Sequence, residues 1–250
     1  MNDLVVLCYH SISETWPAST SVKPDDFERQ LSEFLRRGYR GATFADALTA
    51  SPYERTLVVT FDDAHRSVVQ LAAPVMQRLG VPGTIYVPTD YAGTERLMGW
   101  DGYDEWMGTE HESELACMGW DELIELRDRG WEIASHTCSH PRLSRLGEAE
   151  ILAELTESRR VCEERMGEPC RSLAYPYSDY DDRVVRAAGE AGYRFASTVP
   201  RGPAPPLPLA WPRVGVYFGE DARRITLRSR VRRLDAPAWA RAAMALKRIR

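Results

Sequence analysis

Short apolar runs of strand length alternate with segments in which apolar residues recur every three or four positions, and the alternation continues along nearly the whole chain. Residues 4–9, 57–61, 83–87, 131–135, 173–175, 195–197 and 214–217 carry the strand pattern. Between the first two, Phe27, Leu31, Phe34 and Leu35 share one helical face behind a Pro24-Asp25-Asp26 start. Val68, Leu71, Val75 and Leu79 share another, and further helices are predicted over residues 120–129, 148–166 and 182–191. A glycine stops each helix (Gly38, Gly80, Gly130, Gly167, Gly192), the residue that best tolerates the left-handed turn after a helix.

Strand–helix alternation without an internal repeat predicts an α/β fold on a mainly parallel sheet, open or closed into a barrel. Two stretches break the rhythm. Residues 89–119 show no clear period and read as a long loop inserted near a strand's exit. Residues 200–212, with Pro200, Pro203, Pro205, Pro206 and Pro208, read as an extended surface connection.

The 250 residues are 44% hydrophobic and 28% charged, which excludes a wholly disordered or fibrous chain. No apolar run approaches the ~18 residues of a membrane span. The start, Met1-Asn2-Asp3, lacks a basic region and a long apolar stretch, so a cytoplasmic location is expected. Five scattered cysteines (Cys8, Cys117, Cys138, Cys162, Cys170) form no CxxC pair and are expected as free thiols. The net charge of -5 conceals an asymmetry, because residues 222–250 hold ten basic residues against one acidic, Asp235. The expected organisation is an acidic body over residues 1–221 and a basic tail over 222–250. In that tail Trp239, Ala243, Leu246 and Ile249 have helical spacing, flanked by Arg241, Lys247, Arg248 and Arg250. Such a helix suits peripheral contact with the inner, anionic face of a membrane; a solvated tail or one docked on the body is the alternative. Nucleic acid is not expected as a partner, since the acidic body would repel it.

The chemically informative residues fall directly after strands, where parallel α/β folds place their sites. Thr60-Phe61-Asp62-Asp63 ends one strand. Adjacent side chains diverge in extended backbone, so one carboxylate can face a metal and the other a substrate or water. Alternatively, Asp62 caps the next helix and Asp63 is solvated. His136-Thr137-Cys138-Ser139-His140 follows another strand, and two histidines four apart can converge on one ion, with Cys138 either a further ligand or packed away. Asp63 with both histidines makes a two-histidine, one-carboxylate set suited to Zn²⁺ or a similar divalent ion. His10, at the exit of the first strand, reads by itself as a partly buried, hydrogen-bonded histidine. Tyr175-Pro176-Tyr177-Ser178 makes a rigid turn that either aims a backbone N–H at a developing oxyanion or is plain turn chemistry.

Together, TFDD (Thr60 to Asp63), HTCSH (His136 to His140) and YPY (Tyr175 to Tyr177) resemble the motifs of the polysaccharide deacetylases, the NodB-homology fold of the fourth carbohydrate esterase family. Gly119-Trp120-Asp121-Glu122-Leu123 and Gly130-Trp131-Glu132-Ile133 add family-like context, and the resemblance spans about residues 4–217. It implies a distorted (β/α) barrel of seven or eight strands. It also implies one divalent ion on Asp63, His136 and His140, Zn²⁺ first and Co²⁺, Ni²⁺ or Fe²⁺ as alternatives, with Asp62 as catalytic base.

Three positions depart from the commonest pattern. No histidine follows His140, where many members keep a general acid. The circularly permuted poly-N-acetylglucosamine deacetylase branch supplies it from an N-terminal Leu-x-x-His, and Leu7-Cys8-Tyr9-His10 is similar, which makes His10 the expected acid. Many members place an arginine where this chain has Ala174, so Arg213, or else Arg171, is expected to contact Asp62. Ala64 stands where a glycine is usual, a change tolerable if its backbone angle is ordinary.

The implied reaction is metal-assisted hydrolysis of an N-acetyl group on an amino sugar in a polysaccharide, oligosaccharide or lipid-linked glycan, releasing acetate. Asp62 would take the proton of water, the Tyr177 N–H would hold the oxyanion, and His10 would protonate the leaving amine. Tyr175, Trp100 and Trp106 are expected to contact the sugar, although tryptophans in residues 89–119 would equally anchor a loop. His111 is expected at the surface. The same fold and ion would also serve a non-sugar amide or imide, or a catalytically inert carbohydrate-binding relative.

Overall fold

The structure, a computed structural model, describes residues 3–50, 53–202 and 204–234. In chain order the strands are β1 (Asp3–Tyr9), β2 (Ser11–Ile12), β3 (Ser21–Val22), β4 (Arg40–Ala42), β5 (Arg55–Phe61), β6 (Gly83–Val87), β7 (Glu132–Ser135), β8 (Ser172–Ala174), β9 (Phe195–Thr198), β10 (Trp211–Pro212) and β11 (Val214–Gly215). The helices are α1 (Pro24–Arg36), α2 (Phe44–Thr49), α3 (Ala73–Leu79), α4 (Trp120–Asp128), α5 (Glu148–Met166), α6 (Asp182–Glu190) and α7 (Ala222–Leu234).

Eight strands form one path of parallel neighbours in the order β10-β9-β8-β7-β6-β5-β1-β11, with β4 beside β5. The two ends of the path, β10 and β11, are consecutive in the chain and separated by Arg213 alone, so the sheet nearly closes into a barrel. Strand β1 pairs with β5 along its whole length, with Cys8 opposite Thr60 and Tyr9 opposite Phe61. Both strands are covered on both faces, which is why they read as continuous apolar runs. Val5, Leu7, Tyr9, Val59 and Phe61 point to the core shared with the helices. Val6 and Val58 point the other way and pack with Tyr86, Ala134, Ala174 and Phe44 of α2. Side chains repeat every two residues in a strand, so continuing the second face carries Val6 to Cys8 and His10, and Val58 to Thr60 and Asp62.

All five glycines that the pattern marks as helix stops have positive φ, between 66° and 92°. The pattern did not contain β2, β3, β4 or α2, which are too short to show a period, and the helix through Val68 opens with a π-turn over Val68–Ala72. Residues 89–119 are a packed insertion: Tyr91, Met98, Tyr103, Leu115 and Met118 are buried in the main core. Its ends are pinned to the strand exits, Thr89 N–H donating to the Thr137 carbonyl at 3.1 Å and Met118 N–H to the Ala64 carbonyl at 2.9 Å. The core also extends past residue 221, because α7 lies against α1 and buries Ile225 in the main cluster. The stripe from Trp239 to Ile249 lies outside the described residues. Among those described, no helix is long and apolar enough to cross a membrane, and all five cysteines are free and buried.

Candidate active site

Among the described residues, six that are not glycine have left-handed backbone: Asp63 (φ 67°), Ala64 (51°), Thr137 (67°), His140 (62°), Tyr177 (56°) and Ser178 (54°). All six sit in the three strand-exit motifs or directly after them. Each such residue costs about 1 kcal/mol, and strain of this kind persists where the surrounding structure fixes it for a purpose. Ala64 therefore does not have an ordinary backbone angle; it occupies the left-handed region that a glycine would take without penalty, and it is fully buried.

These turns aim three side chains at one point. His136 Nε2 and His140 Nε2 each lie 3.3 Å from Asp63 Oδ1. His136 Nδ1 faces the Ala174 carbonyl at 2.8 Å and so carries the proton, leaving the Nε2 lone pair turned inward. Asp63 Oδ1 is buried without a hydrogen-bond partner. A buried carboxylate oxygen and two imidazole nitrogens facing one another form a donor set that fits a divalent cation. Cys138 takes no part, its Sγ lying 3.5 Å from the Glu154 carbonyl.

Asp62 faces a different partner. Arg213 donates from Nη1 to Asp62 Oδ1 at 2.6 Å and from Nη2 to Oδ2 at 2.7 Å, and Nη1 also reaches Thr60 Oγ1 at 2.9 Å. Burial would push the Asp62 carboxyl up, yet the guanidinium holds it down at about 2. Arg171 precedes β8 at the end of that strand remote from the Tyr175 turn. His10 joins Asp62 and Cys8 in a second cluster whose ligand atoms lie within 4.8 Å of one another, and its Nδ1 is buried without a hydrogen-bond partner.

A cleft of about 430 Å³ opens beside His140, lined by Gly99, Trp100, Asp101 and Asp104 on one side and His140, Arg142 and Tyr177 on the other. Trp100 stacks on His140 with centroids 3.9 Å apart. Two expected sugar contacts are corrected. Tyr175 is buried, its hydroxyl donating to the Leu209 carbonyl at 2.9 Å, so it is a core residue of the turn. Trp106 is absent from the cleft lining and packs edge-on against Trp16 at 5.9 Å. His111 is largely covered, packed against the Trp106 ring at 5.6 Å.

The sequence reading missed His65 and the role of Tyr103. The Tyr103 hydroxyl donates to Asp63 Oδ2 at 2.9 Å and stands 2.9 Å from His65 Nε2, while His65 Nδ1 donates to the Glu114 carbonyl at 2.9 Å. No motif marks His65 or Tyr103, because the two residues meet only through the fold of the insertion.

The family model for polysaccharide deacetylases matches residues 49–196, more than half of the chain. The chain belongs to the polysaccharide deacetylase family. Among the relatives of this chain, YxkH of Bacillus subtilis (strain 168), named as a polysaccharide deacetylase, is 26% identical over 206 residues, covering 80% of this chain and 66% of YxkH. The poly-beta-1,6-N-acetyl-D-glucosamine N-deacetylase of Staphylococcus aureus (strain MSSA476) is 21% identical over 188 residues, covering 70% of this chain and 60% of that protein. The chain thus spans less than two thirds of the length of these curated relatives. The structure of the Streptococcus pyogenes deacetylase PplD in complex with acetate superimposes with a TM-score of 0.74 at 22% identity, covering 90% of this chain and 97% of PplD. That likeness carries the fold: a distorted, nearly closed (β/α) barrel.

Proposed function

We propose that this polysaccharide deacetylase hydrolyses the N-acetyl group of an amino sugar within a glycan, releasing acetate, with one divalent ion, Zn²⁺ first, held by Asp63, His136 and His140. The observation that carries the reading is the division of labour between neighbouring aspartates: Asp63 turns to two histidines, while Asp62 turns to Arg213 and His10. The substrate named for the Staphylococcus aureus relative supports an N-acetylglucosamine polymer. The cleft, with Trp100 and Tyr177 beside Asp101 and Asp104, offers aromatic and acidic groups suited to an amino sugar.

When bound, the cation supplies the Lewis acid for amide hydrolysis. Asp62, kept ionised by Arg213, receives the proton of the attacking water as general base. The Tyr177 N–H, on a left-handed turn that the fold holds in place, donates to the developing oxyanion. His10 gives its proton to the departing amine, and the product is a free amino sugar with acetate.

The test is acetate release from N-acetylglucosamine oligomers, compared with small cyclic amides, by protein treated with chelator and then supplied with Zn²⁺. Release from the oligomers only when Zn²⁺ is restored is expected. Turnover of the cyclic amides alone would replace the sugar reading with an amidase.

A further inference from the structure

The insertion over residues 89–119 meets the metal donor set at two points. Tyr103 donates to Asp63 Oδ2 at 2.9 Å, leaving Oδ1 as the oxygen that faces His136 and His140. Trp100 lies flat on His140, with centroids 3.9 Å apart and planes inclined by 19°. The Trp100 and Tyr103 rings are themselves in contact, at 5.7 Å. One short piece of loop therefore grips a carboxylate and an imidazole of the donor set. The same piece supplies Gly99, Trp100, Asp101 and Asp104 to the wall of the cleft. Tyr103 is held firmly, being 4% exposed, wedged against Trp16 at 5.6 Å and packed against His65, itself fully buried, with its hydroxyl 2.9 Å from His65 Nε2.

We propose that Tyr103 is a positioning residue of the metal site and that, with Trp100, it couples cation binding to the formation of the substrate cleft. The inference rests on the deacetylase reading of the Asp63 cluster and goes beyond it to a residue the motifs do not contain. A carboxylate whose second oxygen is held by a buried donor keeps its first oxygen aimed, and loss of such an outer partner typically weakens metal affinity by about 10–100-fold. Coupling is reciprocal: whatever the ordered loop adds to cation affinity, the cation adds to the order of the loop. The cleft wall is thus completed when the ion is in place.

The test uses the full chain and Tyr103→Phe, which keeps the ring and removes the hydroxyl. Three measurements are made: Zn²⁺ titration against a chromophoric chelator, hydrogen exchange over residues 97–106 with and without Zn²⁺, and thermal unfolding without metal. In Tyr103→Phe, an unchanged metal-free melting temperature, a Zn²⁺ affinity lower by about 10–100-fold and loss of the Zn²⁺-dependent protection of residues 97–106 are expected. His65→Leu, which leaves Tyr103 in place but unbraced, is expected to lower affinity in the same direction. Undiminished Zn²⁺ affinity in both variants, or equal protection with and without Zn²⁺ in the unaltered chain, would overturn the inference. So would a fall in metal-free stability large enough to account for the whole loss of affinity. Failure of the unaltered chain to bind Zn²⁺ would instead overturn the metal reading beneath it.

Discussion

Arg213 clasps both carboxylate oxygens of Asp62, at 2.6 and 2.7 Å, from the one residue that separates β10 from β11. The residue that brings the barrel to near closure is thus also the residue that holds the proposed base. Both side chains are buried, and the fork of the guanidinium matches the carboxylate in a way a lysine would not.

Replacing Arg213 removes the largest of the causes that hold Asp62 near 2 and leaves only the weaker pull of His136 and His10 against burial, which pushes the carboxyl up. Arg213→Met is therefore expected to move the acid limb of the kcat/KM profile to higher pH. Stability follows the same linkage. The folded value lies below the ordinary ~3.9, so the contribution of the Asp62 carboxylate is complete above ~3.9 and is lost as pH falls through about 2. Breaking a buried pair by removing one partner also costs about 3–5 kcal/mol at neutral pH. A pH–rate profile and a denaturant titration check both; an unmoved acid limb would count against the role given to Arg213.

His10 lies in the cluster with Asp62 and Cys8, apart from the Asp63 donor set. His10→Ala is expected to lower acetate release by about 10²–10⁴-fold while leaving Zn²⁺ affinity unchanged. Steady-state kinetics and metal titration on the same preparation check this. Normal turnover in the variant would remove His10 from the mechanism.

Gly83 is fixed by close approach. A Cβ there would run into Cζ3 and Cε3 on the edge of Trp131, whose ring stacks on Phe61 at 5.9 Å. Gly83→Ala is expected to cost about 1–3 kcal/mol by overpacking, read as a shift in the denaturant midpoint. A midpoint equal to that of the unaltered chain would mean Trp131 has room that the structure does not give it.

Much of this site was legible in the sequence because parallel α/β folds collect strand exits at one end, and Asp62, Asp63, His136, His140 and His10 all follow apolar runs. The period of two along β1 and β5 even places His10 and Asp62 on one face. The sequence favoured Arg213 over Arg171, and the path of the sheet supplies the reason by bringing residue 213 beside Thr60. Tyr175 and Trp106 were misread because an aromatic residue near a motif looks the same in sequence whether it fills a core or faces a cleft. Ala64 hid a left-handed turn that its side chain gives no sign of. The Tyr103–His65 pairing joins residues 38 positions apart through an insertion without periodicity, so no spacing rule reaches it.

The most direct measurement pairs acetate release with Zn²⁺ binding in Asp62→Asn. The substitution keeps the shape of the side chain and leaves Asp63, His136 and His140 untouched. Acetate release lower by at least about 10²-fold, with Zn²⁺ bound as in the unaltered chain, is the expected result. Full-rate release by Asp62→Asn would contradict the account at its centre.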